Sequence, residues 1–405
     1  MNRKQFVILL VLVVVLGGAG WLYYKNNSAS WSSGGAGIGQ KLLGNFDVNA
    51  VAQISIKHGA EEMTLAKTNE LWRVAQRGNY PANFNDIRDL LRKLQDLKIT
   101  QTETVGPSQL PRLELATGQG SNAPTVVSFR DASGKELKTL LLGKKHMRKG
   151  QGSPMGDMDE GGWPDGRYVV VGAASDRVAL VSDALDNVAA KPADWLNKDF
   201  FRVERARAID VTFPNATNSW KLVRETEGAD LKFADPKPGE ALDSTKAAGV
   251  ANPLSSPSFT DVALGITPEQ TGLDKPNVVV IETLDGFNYA IKVGAKTNEN
   301  YFMTMTVTGN FAKERSPGKD EKPEDKPKLD KEFADKLKAH EEKLATEKAF
   351  EAWTFLVPGW QIEPIVKERA QLLVEKKDET KKDGEKPEDA KVEAEKPADE
   401  KKPEN

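Results

Sequence analysis

The sequence predicts an α+β protein: an N-terminal transmembrane helix followed by two tandem, internally duplicated modules of antiparallel sheet plus helix. Three observations carry this reading. An uncharged apolar run lies near the N terminus, alternating apolar residues give way to a spacing of three and four, and the same order of signals returns in the second half of the chain.

The apolar run is Phe6 to Tyr24, FVILLVLVVVLGGAGWLYY, about 19 residues without a charge, which at helical rise nearly matches a hydrocarbon core of about 30 Å. Phe6, Leu10 and Leu16 would face lipid, and Trp21, Tyr23 and Tyr24 would mark the far interface. Arg3 and Lys4 precede the run and favour a cytoplasmic N terminus. The expected topology is therefore a single pass, with the bulk of the chain exported. A cleaved signal peptide is the competing reading, because Phe6 to Leu16 has the length of an h-region and small residues follow it. The Ser/Gly-rich stretch NNSASWSSGGAGIGQ then reads as a flexible tether. Its Gly35, Gly37 and Gly39 lack the flanking strand and the Lys-Ser/Thr pair of a phosphate loop.

In the first module Ile54 and Ile56, Met63 and Leu65, and Trp72 and Val74 predict three antiparallel strands. Phe84, Ile87, Leu90, Leu91, Leu94 and Leu97 then predict an amphipathic helix, with Asn83 as N-cap and Asp86 at the third helical position. Thr125 to Arg130 and Leu137 to Leu142 form a hairpin around Asp131 to Gly134, and Tyr168 to Val171 and Val178 to Val181 extend the sheet. Ile209, Val211 and Phe213, then Trp220 and Leu222, then Leu231 and Phe233 repeat the opening strands. Pro107-Ser-Gln109 leading to Leu113-Glu114 matches Pro268-Glu-Gln270 leading to Leu273-Asp274, and each stands ahead of a β-rich hairpin closed by an apolar residue and Gly. Asp243 to Phe259 carries Gly249, Pro253 and Pro257, so the second helix is expected to be short or broken.

The resulting division is 1-25 anchor, 26-44 linker, 45-190 first module, 191-204 connector, 205-372 second module, and 373-405 a disordered Lys/Glu-rich tail. Two insertions decorate it: Lys144 to Gly166, and a charged, coiled-coil-like helical stretch at 312-351. Residues 375–405 hold 9 Lys against 12 Asp+Glu and so carry the whole formal charge of -3. No basic nucleic-acid surface is implied.

The chain has 405 residues and no Cys, which excludes a disulfide scaffold, a thiolate metal site, a cysteine nucleophile and an acylated lipoprotein cysteine. The histidines are His58, His146 and His340, in a turn, an insertion and a charged helix, so no helical pair of ligands forms and no metal site is expected. Asp157-Met-Asp159-Glu160 opens like a calcium loop, but the twelfth position is Tyr168, where a bidentate Glu is required. No G-x-S-x-G elbow occurs and no cofactor motif is found. The notable aromatic positions are Trp163, Tyr168 and Trp195, as weak partner-binding candidates. Trp195, with Phe200 and Phe201 close by, reads better as interdomain packing.

The segments LLGNFDVNAVAQISIK, LWRV followed by YPANFNDIRDLLRKLQDLK, VGPSQLPRLEL, and LLLGKKH followed by GRYVVV resemble the domain of unknown function numbered 4340. The likeness covers most of residues 40 to 372 and rests on turns and strand ends, so it transfers no active-site residue. The resemblance implies an exported, membrane-tethered bacterial protein, an accessory component associated with a gliding-motility-type ABC transport system, whose partners are a permease or related envelope proteins. Taken with the single pass, it implies the bacterial inner membrane, with the bulk of the chain periplasmic. The expected function is non-enzymatic protein binding. The alternatives are an envelope scaffold or cell-wall glycan-binding module and, further off, an unrecognised hydrolase.

Overall fold

The computed structural model describes residues 37–116, 123–148, 162–172, 177–251, 254–318 and 321–374. The expected anchor at 1-25, most of the 26-44 linker, the Asp157 to Glu160 run and the tail beyond Val374 lie outside these residues. The first half contains β1 (Gln53–His58), β2 (Glu61–Thr68), β3 (Leu71–Val74), β4 (Tyr80–Pro81), α1 (Phe84–Asp96), β5 (Ile99–Thr104), β6 (Thr125–Arg130), β7 (Glu136–Arg148), β8 (Trp163–Val171) and β9 (Arg177–Val181). The second half contains β10 (Ala206–Thr212), β11 (Trp220–Val223), β12 (Lys232–Phe233), α2 (Ser244–Ala251), β13 (Asp261–Ala263), α3 (Pro268–Thr271), β14 (Asn277–Thr283), β15 (Phe287–Thr297), β16 (Asn300–Gly309), α4 (Lys326–Lys348), β17 (Thr354–Pro358) and α5 (Gly359–Ile362).

The expected α+β class with a membrane helix is corrected by this structure. Two large antiparallel sheets dominate, of nine and eight strands, and no helix among the described residues is long and apolar enough to cross a membrane. The two sheet modules fit, α1, the short α2 and the charged α4 stand where the sequence marks helix, and the sheets are larger than expected because some strands leave no signal in the sequence. β5 reads ITQTET with little to bury, and β13 has three residues, so neither shows the alternation that marks a strand. The segment read as an insertion from Lys144 instead begins by continuing β7 as far as Arg148, and β8 starts at Trp163.

The duplication is explicit in the strand order. The first sheet runs β4-β3-β2-β1-β6-β7-β8-β9-β5 and the second β12-β11-β10-β14-β15-β16-β17-β13, identical orders except for the added β4. α1 forms where its apolar stripe requires, with Asn83 Oδ1 accepting from the Asn85 N–H at 3.0 Å and Ile87, Leu90 and Leu94 buried. α2 is its shorter counterpart, eight residues long.

Each module is closed by the same strap. In the first, the Asn83 N–H donates to Trp195 O at 2.8 Å and the Asn197 N–H to Pro81 O at 2.9 Å. In the second, the Asp243 N–H donates to Leu372 O and the Val374 N–H to Ala241 O, each at 2.9 Å. Short 3-10 turns, Pro192–Trp195 and Arg369–Leu372, deliver the buried Trp195 and Leu372 to equivalent places.

One hydrophobic cluster runs through both modules. At their junction Tyr80 meets Phe259, Trp353 and Phe355 edge-on at 5.7, 5.1 and 6.2 Å between ring centroids, and Phe200 packs on Phe259 and Phe355. Beside them the Arg77 guanidinium donates Nε to Asp261 Oδ1 at 2.6 Å and Nη2 to Oδ2 at 2.7 Å. This bidentate bond holds the β3 end of the first module on the β13 edge of the second.

Truncating Arg77 strands the half-buried Asp261 carboxylate at that junction. Arg77→Ala is expected to destabilise the chain by about 1.5–3 kcal/mol in urea unfolding. A loss within about 0.5 kcal/mol, the ordinary surface range, contradicts the assignment.

Candidate functional site

The feature that shapes the surface of the first module is a crossing. After β5 the chain passes through a 3-10 turn, Leu110–Leu113, and lies directly over β7 at Gly143. A Cβ at Gly143 would stand 2.3 Å from Leu113 O and 2.7 Å from Leu115 Cγ, so only glycine fits. The second module repeats the arrangement, because a Cβ at Gly294 would stand 2.2 Å from Thr271 O and 3.2 Å from Leu273 Cγ. The turn geometry matches as well. The Leu115 N–H donates to Leu110 O at 3.0 Å and the Leu273 N–H to Pro268 O at 2.9 Å, with Glu114 (φ 54°) and Gly272 (φ 69°) both left-handed. Leu273 thus answers to Leu115, two residues beyond the Leu113 with which the sequence motif aligned it.

The crossing leaves an irregular strand. Register shifts occur between Leu142 and Lys145 and again between His146 and Met147, and beyond them β7 and β8 continue as a two-stranded extension pairing Met147 with Pro164 and Arg148 with Trp163. Arg167 holds the base of this extension. Its Nε donates to Gly143 O at 2.8 Å and its Nη1 to Leu185 O at 3.3 Å, with 9% of the residue exposed. Burial draws the Arg167 pKa down from the ordinary arginine value, opposed by Glu114 and Asp186. Under the crossing a small separate core forms from Val105, Leu115, Leu141, Val170 and Val178, with Leu110, Leu113 and Tyr168 packed against it.

Between the crossing and the extension lies a basin of about 530 Å³, lined by Glu103, Val105, Gln109, Arg112, Leu113, Lys144, Lys145, His146, Met147 and Tyr168. Several of its charges are already paired. Lys145 bonds Asp186 and His146 Nδ1 meets Asp165 Oδ1 at 2.6 Å, while Glu103 accepts from the neutral Gln101 Nε2 at 2.6 Å. The side chains of Arg112 and Lys144 have no hydrogen-bond or ion-pair partner among the described residues. Among the described residues the basin therefore offers two uncommitted cations beside an apolar strip of Met147 and Tyr168.

The sequence candidates divide sharply. Trp163, opposite Arg148, is 57% exposed at the end of the extension, and Met147, opposite Pro164, is 44% exposed. Tyr168 is half-buried in the basin wall, its ring edge-on to His146 at 6.3 Å between centroids. Trp195 is 3% exposed and donates Nε1 to Ala189 O at 2.9 Å, so it serves the strap and presents no surface to a partner. Phe6, Leu10, Leu16, Trp21, Tyr23 and Tyr24 fall outside the described residues. The histidines stay apart: His58 lies 3.3 Å from Thr125 Oγ1, and His340 packs against Phe287 and Phe311. Among the described residues no group of three or more potential ligands surrounds a metal position.

Arg112, Lys144, Met147 and Arg148 went unnoticed in the sequence. The available signal was the basic run KKHMR directly after the Gly of LLLG. A second cavity of about 460 Å³, between α1 and the strap, is lined by Asp86, Asp89, Asp186 and Asp194 with Lys93. Burial raises the Asp86 pKa, helped by Asp89 and opposed by the Asn83 hydrogen bond.

Residues 72–152 and 161–276 match the model of the family described as Domain of unknown function (DUF4340). The chain belongs to this family. The matched segments contain the crossing, the basin and both arms of the β7–β8 extension. No curated protein and no solved structure matches the chain. Within this DUF4340 chain the corresponding corner of the second module repeats the lysine–carboxylate pair, Lys296 bonding Glu363 Oε1 at 2.8 Å as Lys145 bonds Asp186, but there the two strands turn back at once, at Asn298 and Glu299.

Arg167 and Lys144 separate support from surface. Arg167→Ala removes two buried charge-assisted bonds and is expected to cost about 1.5–3 kcal/mol in denaturant unfolding, whereas Lys144→Ala stays within about 0.5 kcal/mol. Equal effects would show that Arg167 does not hold the base of the extension.

Proposed function

We propose that this chain is a non-enzymatic binding protein, an accessory component of an ABC-type transport system, and that it grips its partner through the β7–β8 extension. The observation that carries the binding reading is the exposed Trp163 set opposite Arg148 on a strand pair braced by buried Arg167, with exposed Met147 at the adjoining strand position and Arg112 and Lys144 in the basin nearby. Trp and Arg dominate the energetics of protein interfaces, and a braced strand pair loses little entropy when it docks. The transport context rests on the family resemblance alone. A single span with the bulk of the chain on the outer side rests on the composition of residues 3–24, and its placement in a bacterial inner membrane on the family resemblance.

The experiment is co-purification of the tagged full chain from membranes in mild detergent. ABC permease or related envelope subunits are expected to accompany it, and Trp163→Ala is expected to weaken their recovery at least about tenfold, as loss of a hot-spot aromatic does. Recovery of the chain alone would remove the transport reading. Undiminished recovery with Trp163→Ala would move the contact off the extension. Capture by cell-wall glycan, lost with the same variant, would favour a glycan-binding scaffold.

A further inference from the structure

We infer that the basin beside the extension takes an acidic peptide segment, its carboxylates meeting Arg112 and Lys144 while an apolar side chain lies against Met147 and Tyr168. The inference rests on the binding reading above and names the chemistry of the partner at that site. Its first support is the charge balance within the basin. Lys145 has its own carboxylate in Asp186 and the His146 ring meets Asp165, whereas Arg112 and Lys144 have no partner among the described residues, so that with Glu103, bonded by the neutral Gln101 amide, the lining keeps an excess of positive charge. An uncommitted guanidinium and ammonium in one concavity attract an anion, and the guanidinium offers a carboxylate a two-point contact.

The second support comes from the duplication. Lys145 follows Gly143 by two residues as Lys296 follows Gly294, and each of these lysines is engaged by a carboxylate from the segment after the last long strand, Asp186 in the first module and Glu363 in the second. Both corners are therefore already adapted to side-chain carboxylates carried on peptide. In the first module the corner is widened by the extension and lined with further cations, which leaves room for another acidic segment.

The same geometry argues against a lipid surface. Arg112 and Lys144 line a concavity, which a side chain can enter and a flat sheet of phosphates meets only at its rim.

The test uses the full chain in detergent micelles and a fluorescein-labelled octapeptide of glutamates interrupted by two leucines, read by fluorescence anisotropy. Binding is expected, weakening as salt rises and falling at least about tenfold in Arg112→Glu/Lys144→Glu. The milder Arg112→Gln/Lys144→Gln is expected to lie between, and Lys328→Glu on α4 to match wild type. Circular dichroism checks that each variant folds. No binding, binding indifferent to both double variants, or binding displaced by phosphatidylglycerol vesicles and not by unlabelled peptide would each overturn the inference. Failure here with partner recovery still dependent on Trp163 leaves the binding reading standing. Peptide binding that depends on Arg112 and Lys144 supports the inference even where no transporter subunit co-purifies.

Discussion

At Gly143 and again at Gly294 the connection that leaves an edge strand passes so close to the central hairpin that no side chain fits between them. Much of the architecture depends on these two crossings. Each binds the far edge of its sheet to the middle, and each forces the hairpin strand into a bulge just beyond the glycine. In the first module the displaced strand runs on as the β7–β8 extension, and the crossing chain brings Arg112 to the basin wall. In the second the strands turn back at Asn298 and Glu299, so the same local constraint ends in a tight hairpin turn.

The straps and the junction extend this logic to the whole chain. A duplicated unit gains stability from its neighbour interface and needs covered ends. Here the first module docks through Arg77 and Tyr80 on the β13 edge of the second, while the N-terminal residues around Gln40 pair with Leu97 and Ile99 at the opposite edge. The far end of the second module carries Pro236, Pro238 and charged residues, held by Arg369 through Asp235 and Glu240. Such an end resists further strand pairing. Surfaces that would otherwise stack repeats are occupied, and the uncommitted chemistry is left on the extension and its basin.

Much of this was legible in the sequence, and the reasons are local. β1 to β3, α1 and the β6–β7 hairpin announced themselves because one face of each is buried and the other solvated, so the apolar period survives. β5 and β13 did not, because they are edge strands whose place is set by the partner strand and not by their own apolar faces. The glycine closing each hairpin was visible, but its cause, a chain crossing from another part of the module, is a tertiary fact. Trp195 reads in sequence as interdomain packing, and the structure buries it instead in the strap that closes the first module. The basin escaped notice because Arg112 and Lys144 are ordinary surface residues in sequence and become a site only where the crossing brings their segments together.

Structure and candidate function therefore share one cause: a glycine that lets one segment of chain lie on another. The most direct measurement is amide hydrogen exchange of the full chain carrying Gly143→Ala, with Gly294→Ala as the internal control. The account predicts that Gly143→Ala speeds exchange across Leu110–Leu115 and Lys144–Arg148 while leaving β15 and β16 protected, and that Gly294→Ala does the reverse. Exchange in the 110–115 and 144–148 segments that matches wild type in the Gly143→Ala chain would contradict it.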